Sequence, residues 1–251
     1  MLRKVFTGLM LVGLVLGMVS CAKKEPTKIT IATDATWPPM EMVDTNKIIV
    51  GFDIDLMNAA AKAGNFTVEF RNTAWEGIFP GLDNAKYDAV MSSVTITEER
   101  QKTMDFSIPY INAGQILVVK SEVTGVEKLT DLAGKIVAAQ IGTTGAFEID
   151  KVKDASNITP KTYDEIGLAF EDLANGRVAA VVVDTPVAAQ YALQNANYKG
   201  KLKIVGQPFT DEFYGVAVKK GNAKVLDLIN KGLKKVLDSG ENKAFEKKWL
   251  K

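Results

Sequence analysis

A strand end followed directly by a helix start is encoded in Ser92-Ser93-Val94-Thr95-Ile96-Thr97-Glu98-Glu99-Arg100. The run before it, Tyr87-Asp88-Ala89-Val90-Met91, is typical of a short buried strand, and Thr97 before two glutamates is typical of a helix N-cap. Arg100 then falls at the third helical position. From there its planar guanidinium can reach back to the strand end and hold a carboxylate with two parallel hydrogen bonds. The alternative is a surface helix start whose arginine pairs with a nearby glutamate.

The segment that leads into this stretch is repeated later in the chain. Leu82-Asp83-Asn84-Ala85-Lys86-Tyr87-Asp88-Ala89-Val90-Met91 aligns with Leu173-Ala174-Asn175-Gly176-Arg177-Val178-Ala179-Ala180-Val181-Val182, with Leu, Asn, a small residue, a cation, Ala and Val in register. The repeat predicts two similar lobes. The alignment sets Asp184 against Ser93, just beyond the carboxyl ends of equivalent strands, where open α/β sheets bind ligands. The alternative for Asp184 is a cap for the helix that follows it.

Short apolar strands alternate with helical patterns on both sides of the repeat, which predicts an α/β protein. Residues 29–32 are typical of a strand, and Gly51-Phe52-Asp53 begins a helix of which we interpret Asp53 as the cap. Residues 222–249 predict two helices that are separated at Gly240 and pack back on the first lobe.

Two lobes in one chain need connecting strands. Residues 113–120 are extended and can carry the chain out of the first lobe, and a return crossing is expected near residues 207–214. The boundaries that we predict are residues 28–114 with 211–251 for lobe 1 and residues 115–210 for lobe 2.

Arg100 and Asp184 are complementary fixed charges, one for a carboxylate and one for an ammonium. If the lobes face each other, their expected ligand is the zwitterionic head of an α-amino acid. Thr95 can offer its backbone N–H to the carboxylate and its hydroxyl to the ammonium. Gly142-Thr143-Thr144-Gly145, a turn before a helix, offers further donors, so Thr143 and Thr144 are candidate ligand-binding residues.

A second group of residues suits the side chain of the ligand. The indole rings of Trp37 and Trp75 can lie on opposite sides of a flat or cationic group. A cation–π contact of this kind contributes about 0.5–2 kcal/mol. Asp34 can pair with the distal charge, which favours arginine, then lysine or histidine. Gln140 adds an amide that suits arginine and glutamine equally. The alternative for both indoles is ordinary core packing, the role that we also assign to Trp249.

The composition excludes several classes of chemistry. The chain has 251 residues, enough for two lobes of ordinary size, and its 31 Lys and Arg nearly balance its 30 Asp and Glu. Because no long basic block is present, we expect no nucleic-acid partner. Histidine is absent and Cys21 is the only cysteine, which excludes Ser-His-Asp and Cys-His catalysis, ordinary zinc sites and intramolecular disulfides. We expect a monomer without metal, cofactor or catalytic residues.

The N-terminus predicts export. Two cations precede an apolar run over residues 5–19, too short for a membrane span of about 20 apolar residues, so residues 1–20 are typical of a signal peptide. Met18-Val19-Ser20-Cys21 resembles a bacterial lipobox, in which the cysteine is acylated, although Met18 replaces the usual leucine. Residues 21–27 would then tether the protein to a membrane, in the periplasm or at the cell surface. The alternative is a plain secretory signal with an incidental cysteine.

Four motifs carry a resemblance that spans nearly the whole mature chain. They are Gly51-Phe52-Asp53-Ile54-Asp55-Leu56, Tyr87-Asp88-Ala89-Val90 leading to Thr95-Ile96-Thr97-Glu98-Glu99-Arg100, Asp105-Phe106-Ser107-Ile108-Pro109-Tyr110, and Gly142-Thr143-Thr144. Together they resemble the bacterial extracellular solute-binding proteins of polar amino-acid uptake transporters. The resemblance implies a two-lobed periplasmic-binding-protein (Venus-flytrap) fold, each lobe a mostly parallel sheet flanked by helices, with a two-strand hinge. It also implies closure on a free amino acid and delivery to an ATP-driven (ABC) permease.

The resemblance also implies roles for individual residues. It places the carboxylate ligand at Arg100, assisted by the backbone at Thr95 and Thr144. It places the ammonium ligands at Asp184, Thr95 and the carbonyl of Ser93. Contacts with the ligand side chain fall on Asp34, Trp37, Trp75, Ser92 and Gln140. Family members often have Tyr or Phe at the two aromatic positions, so the paired tryptophans are a departure that affects the width of the pocket.

Other functions fit the same fold. A periplasmic cyclohexadienyl or arogenate dehydratase shares it, and its chemistry needs a general acid, for which Asp34 and Glu148 are the candidates. Paired tryptophans and a carboxylate for an ammonium suit reversible capture better, so we expect no enzyme. A ligand-dependent sensor domain is a third class, and its downstream transmembrane or signalling segment is not expected here. Within transport, a glutamine-specific protein is the alternative to one for arginine or another basic amino acid.

Overall fold

The structure is a computed structural model and describes residues 26–250. The predicted signal peptide, the acylation site at Cys21 and most of the predicted tether lie outside the described residues. Within residues 26–250, no helix is both long and apolar enough to cross a membrane.

The described chain alternates strands and helices, as predicted. The first segment contains β1 (Thr27–Thr33), β2 (Thr36–Trp37), β3 (Glu41–Val43), β4 (Ile49–Val50), α1 (Phe52–Gly64), β5 (Phe66–Asn72), α2 (Trp75–Asp83), β6 (Ala89–Val90), α3 (Glu98–Thr103), β7 (Met104–Phe106) and β8 (Ile111–Asn112). The second contains β9 (Gln115–Lys120), a 3-10 helix (Leu129–Leu132), β10 (Ile136–Gln140), α4 (Thr144–Val152), β11 (Thr159–Tyr163), α5 (Ile166–Ala174), β12 (Ala180–Asp184), α6 (Thr185–Ala189), a π-helical turn (Gln190–Gln194) and β13 (Leu202–Val205). The chain ends with β14 (Phe213–Tyr214), β15 (Ala217–Lys219), α7 (Ala223–Ser239) and α8 (Asn242–Trp249).

Two five-stranded sheets share one topology. Their strand orders are β5-β1-β6-β15-β7 and β11-β10-β12-β9-β13, and a small sheet of β2, β3 and β4 accompanies the first. β1 pairs in parallel with β5 and β6, as β10 does with β11 and β12. β15 runs antiparallel to β6 and β7, as β9 does to β12 and β13. Four strands of each sheet therefore run the same way, which confirms two lobes with mostly parallel sheets.

The sequence repeat is also a structural repeat. The N–H of Asn84 bonds a carbonyl of the last turn of α2, and the N–H of Asn175 bonds the equivalent carbonyl of α5. The next residues, Ala85 and Gly176, both take the left-handed conformation, with φ of 53° and 72°. A helix, a left-handed turn and a buried strand thus occur twice. The unit ends at the loop after β6 and at Asp184 of β12.

Two antiparallel strands, β8 and β14, form the connection between the lobes. Beside them, the N–H of Gln115 donates to Thr210 Oγ1 at 2.7 Å. The crossing strands approach so closely at Gly114 that an added Cβ would lie 2.1 Å from the carbonyl oxygen of Thr210. The predicted two-strand hinge is confirmed, whereas the exact residues at which one lobe ends and the other begins stay a prediction.

The two C-terminal helices pack on α1 of lobe 1, as predicted. Gly240 ends α7 in the left-handed conformation with φ 75°. Trp249, on α8, donates its Nε1–H to Asp55 Oδ2 at 2.7 Å and lies partly buried against the core. The predicted break at Gly240 and the packing role of Trp249 are confirmed.

The interpretation of Asp53 as the cap of α1 is wrong. Gly51 occupies the cap position, and Asp53 lies in the first turn, fully buried. Its Oδ2 accepts the N–H of Ser93 at 2.9 Å and the hydroxyl of Tyr110 at 2.8 Å. Asp53 therefore joins α1 to the loop after β6 and to the start of the hinge.

Candidate functional site

All eleven residues that the sequence predicted as ligand-binding line one cavity between the lobes. About 310 Å³ of space lies between these residues, including the part that is open to solvent. The lobe 1 side supplies Asp34, Trp37, Trp75, Ser92, Ser93, Thr95 and Arg100, and the lobe 2 side supplies Gln140, Thr143, Thr144 and Asp184. The structure brings these residues together, and their contact with a ligand stays a prediction.

The two sheets position this site through their strand ends. Asp34 follows the last residue of β1, and the loop with Ser93 follows β6. Gln140 is the last residue of β10 and Asp184 the last of β12. Since β1 and β6 are parallel, as are β10 and β12, each sheet presents its polar groups at one carboxyl edge.

Arg100 reaches the cleft from the start of α3. The backbone N–H of Arg100 donates to Thr97 Oγ1 at 3.1 Å, which confirms the predicted N-cap. Its Nη1 donates to the carbonyl of Thr95 at 2.9 Å, and its Nη2 donates across the cleft to the carbonyl of Gly142 at 3.3 Å. The guanidinium has five N–H groups, so three more can bind a carboxylate. The nearby Glu99 pairs with Lys102 instead, so the surface-pair interpretation of Arg100 does not hold.

Two aromatic rings of α2 hold the guanidinium in place. Its Cζ lies 5.5 Å from the ring centroid of Trp75 and 5.2 Å from that of Phe79. The two rings pack edge to face with centroids 5.0 Å apart. Burial lowers the pKa of Arg100 to about 10, and the charges of Asp184 and Glu212 oppose that shift, so Arg100 stays charged at neutral pH. The sequence analysis missed Phe79, although its spacing of one helical turn from Trp75 could have indicated it.

Asp184 is the opposing charge and is only 4% exposed. It stands at the N-cap position of α6 but makes no capping bond with its side chain. Its Oδ1 accepts Nε2–H of Gln115 at 3.0 Å. Burial, followed by the charge of Glu212, raises the pKa of Asp184 to about 7. A cation brought to Asp184 would stabilise the ionised form.

Asp34 and Gln140 meet across the cleft within the same cavity. Nε2 of Gln140 donates to Asp34 Oδ2 at 2.9 Å, and Oγ1 of Thr36 donates to Asp34 Oδ1 at 2.8 Å. Burial is the main cause that raises the pKa of Asp34, and the charge of Glu165 adds to it. A cationic group of a ligand would favour ionised Asp34 here.

Buried carboxyl groups support the serine loop from behind. Ser92 Oγ donates to Glu41 Oε1 at 3.1 Å and accepts the N–H of Asp34 at 2.9 Å, so this hydroxyl joins two strand ends. Ser93 has φ 51°, which is uncommon for a residue with a side chain, and its N–H is held by Asp53. Burial and the charge of Asp53 raise the pKa of Glu41 well above its ordinary value. The sequence analysis missed Glu41.

A further carboxylate that the sequence analysis did not single out lies beneath the site. Glu212, just before β14 and 8% exposed, accepts hydrogen bonds from the hydroxyls of Thr95 and Thr144 at 2.8 and 2.7 Å. Its second oxygen accepts the hydroxyl of Thr210 at 2.8 Å. The expected return crossing near residues 207–214 was the only sequence signal that pointed to this segment.

The turn before α4 is fixed by its own cap and by a close contact. Thr143 Oγ1 accepts the N–H of Ala146 at 3.3 Å, so Thr143 is the N-cap of α4. A Cβ at Gly145 would lie 2.8 Å from Gln115 Oε1, so glycine lets α4 approach the hinge. Both features place Thr144 at the cavity wall.

Two lobes joined by two strands, with opposite charges on facing walls of one cavity, define a two-lobed small-molecule binding protein. The chain belongs to family 3 of the bacterial extracellular solute-binding proteins, whose family model matches residues 29–251. The resemblance noted from the four motifs is therefore confirmed.

Individual relatives bind amino acids. A probable histidine-binding protein of Neisseria gonorrhoeae is 38% identical over 224 residues, which cover 88% of this chain and 82% of the relative. An ancestral arginine-binding protein bound to arginine is 42% identical with a TM-score of 0.85, over 90% of this chain and 100% of that one. An ancestral arginine-binding protein bound to glutamine is 43% identical with a TM-score of 0.82, over 88% and 97%. The ancestral amino acid-binding protein AncCDT-1, a precursor of cyclohexadienyl dehydratase, is 36% identical with a TM-score of 0.81, over 89% and 96%.

Proposed function

We propose that this protein captures a free polar amino acid by closure of its cleft and presents it to the transmembrane subunits of an ABC transporter. Arginine or another basic amino acid is the ligand that the site suits best. The observation that carries the proposal is the placement of Arg100 and Asp184, which have opposite charges and line one cavity from opposite lobes. Binding of a zwitterion to both would shift the protein further toward the closed arrangement.

The head of the ligand is assigned by hydrogen-bonding capacity. The unused N–H groups of Arg100 and the backbone at Thr144, where α4 begins, can donate to the carboxylate. Asp184, the hydroxyl of Thr95 and the carbonyl of Ser93 can accept from the ammonium.

The balance of charge favours a cationic side chain. Asp34 and Asp184 line the cavity, Glu212 lies directly beneath it and Glu165 acts on Asp34, whereas Arg100 supplies the positive charge. An α-amino acid with a neutral side chain adds no net charge, while arginine adds one positive charge. Its guanidinium would lie near Asp34, with Trp37 and Trp75 in the walls.

Glutamine is a second candidate because the indole N–H of Trp37 lacks an acceptor among the described residues. Trp37 lines the cavity, and its Nε1 is buried without a hydrogen-bond partner among residues 26–250. An amide oxygen would satisfy this N–H, which a guanidinium cannot do because it has no acceptor.

A thermal-shift screen against the twenty amino acids tests the proposal. A ligand present at about 100 times its dissociation constant stabilises the folded state by about 2.7 kcal/mol. We expect L-arginine to raise the melting temperature most and L-glutamine less. The reverse order would favour the second candidate, and no shift with any amino acid would contradict the class of ligand. Formation of phenylpyruvate from added prephenate would identify a dehydratase instead.

We further propose that residues 1–20 are removed, that Cys21 is acylated and that the protein is a monomer held at the outer side of the cytoplasmic membrane. The lipobox-like Met18-Val19-Ser20-Cys21 supports the removal of residues 1–20 and the acylation of Cys21. Cells grown with an alkyne-tagged fatty acid should label the wild-type protein but not Cys21→Ser, and the variant should leave the membrane fraction. Equal labelling of the two proteins would contradict acylation at this residue.

A further inference from the structure

We propose that Glu212 is a positioning residue for ammonium recognition, because its carboxylate takes the hydroxyl protons of one threonine from each lobe and leaves both oxygens as acceptors for the ligand. The threonines are Thr95 of lobe 1 and Thr144 of lobe 2. This inference rests on the proposed function and adds to it a hinge residue that acts from outside the cavity.

The contacts of Glu212 connect three parts of the molecule. Its Oε2 lies 2.8 Å from Thr95 Oγ1 and 2.7 Å from Thr144 Oγ1, and the two hydroxyl oxygens are 3.5 Å apart. Gln115, at the start of β9, places Nε2 3.5 Å from the same carboxylate oxygen. Glu212 is thus a point where polar groups of both lobes converge on the hinge.

The direction of these hydrogen bonds follows from the number of available protons. An ionised carboxylate can only accept, so each threonine hydroxyl must donate its single proton to Glu212. Thr144 Oγ1 also accepts Nε2–H of Gln115 at 3.1 Å. Both hydroxyl oxygens then have only lone pairs left for other partners. They can accept from an ammonium but cannot donate to a carboxylate.

The charges of the site agree with this direction. Gln115 bonds both Asp184 and Thr144, so the carboxylates of Asp184 and Glu212 lie at the same end of the cavity. Arg100 binds the carbonyl of Thr95 rather than its hydroxyl. The ammonium would therefore meet the carboxylate of Asp184 and the two hydroxyl oxygens, with the carboxylate of Glu212 behind these hydroxyls. Because the hydroxyls belong to different lobes, this set is complete only when the lobes are together.

Glu212→Gln separates this role from simple packing. The variant keeps the size of the side chain but replaces the carboxylate by a neutral amide, whose oxygen holds the two threonine protons less strongly and whose NH₂ can donate to Thr210 or to one of these threonines. We expect the affinity for L-arginine to fall at least about tenfold. The affinity for 5-guanidinopentanoate, which is arginine without its α-amino group, should change less than about twofold by competition against L-arginine. Asp211→Asn is the matched control, since it removes the same charge from an exposed neighbour that bonds Asn112, and it should leave both affinities unchanged.

The outcomes distinguish this inference from the proposed function. Equal losses for L-arginine and 5-guanidinopentanoate in Glu212→Gln, or no loss for either, would overturn the role of Glu212 while the proposed function stands. Wild-type protein that binds neither L-arginine nor L-glutamine would overturn the proposed function itself. If L-glutamine alone binds, the same comparison uses L-glutamine and 4-carbamoylbutanoate. If Glu212→Gln does not fold, Thr144→Val must show the same loss confined to the ligand with the α-amino group, and an equal loss for both ligands would again overturn the inference.

Discussion

Arg100→Ala is expected to weaken L-arginine binding at least about a hundredfold, measured by isothermal titration calorimetry. The loss follows from removal of charge-assisted hydrogen bonds to the carboxylate that together contribute about 3 kcal/mol. The affinity of Arg100→Lys for L-arginine should lie between those of Arg100→Ala and the wild type, because an ammonium keeps the charge but cannot form the planar pair of bonds.

The control for this experiment is Arg177→Ala. Nη1 of Arg177 lies 2.8 Å from Oδ1 of Asp172 in an ion pair on lobe 2. Loss of the Arg177 side chain should therefore leave the affinity for L-arginine unchanged. If Arg100→Ala bound L-arginine as tightly as the wild type, Arg100 would not be a ligand-binding residue.

Affinity is expected to rise with pH up to about 7 and then to level off. The pKa of Asp184 is about 7 without a ligand, and an ammonium stabilises the ionised carboxylate. Below pH 7, binding must therefore release a proton from Asp184, which reduces the affinity by up to about tenfold per pH unit. The groups that face Asp184 are Gln115, Tyr214, Arg100 and Glu212, and none of these is a histidine that would reverse the sign.

Asp184→Asn is the matched variant for the pH experiment. It should bind L-arginine about a hundredfold more weakly at pH 8, because a neutral amide cannot replace the charge-assisted contact, and the part of the pH profile centred near 7 should disappear. Calorimetry from pH 5 to 8.5, in two buffers with different ionisation enthalpies, measures both the affinity and the released proton. A flat wild-type profile, or an unchanged profile in the variant, would contradict the assignment.

The parts of the molecule that local patterns could predict are those set by neighbours in sequence. Thr97 caps α3 through a residue three positions away, so the position of Arg100 could be predicted from the run that contains it. The repeat around Asn84 and Asn175 predicted both the second lobe and the position of Asp184, because one helix, turn and strand unit occurs twice. Strand ends of parallel sheets then brought the candidate residues to one cavity.

The parts that could not be predicted depend on contacts between distant residues. Asp53 looks like a helix cap in sequence, but the N–H that it accepts belongs to Ser93, 40 positions away. Glu212 has no local signature, since its bond to Thr95 spans 117 positions. Glu41 likewise reaches Ser92 over 51 positions. The roles of such buried carboxyl groups can be recognised only once the folded structure shows which distant residues they contact.

The most direct measurement of the central claim is a crystal structure of the complex with L-arginine. We expect the carboxylate to contact the guanidinium of Arg100, the ammonium to contact Asp184, and the ligand guanidinium to lie beside Asp34. A ligand bound outside the cavity, or one inside it whose head contacts neither Arg100 nor Asp184, would contradict the account.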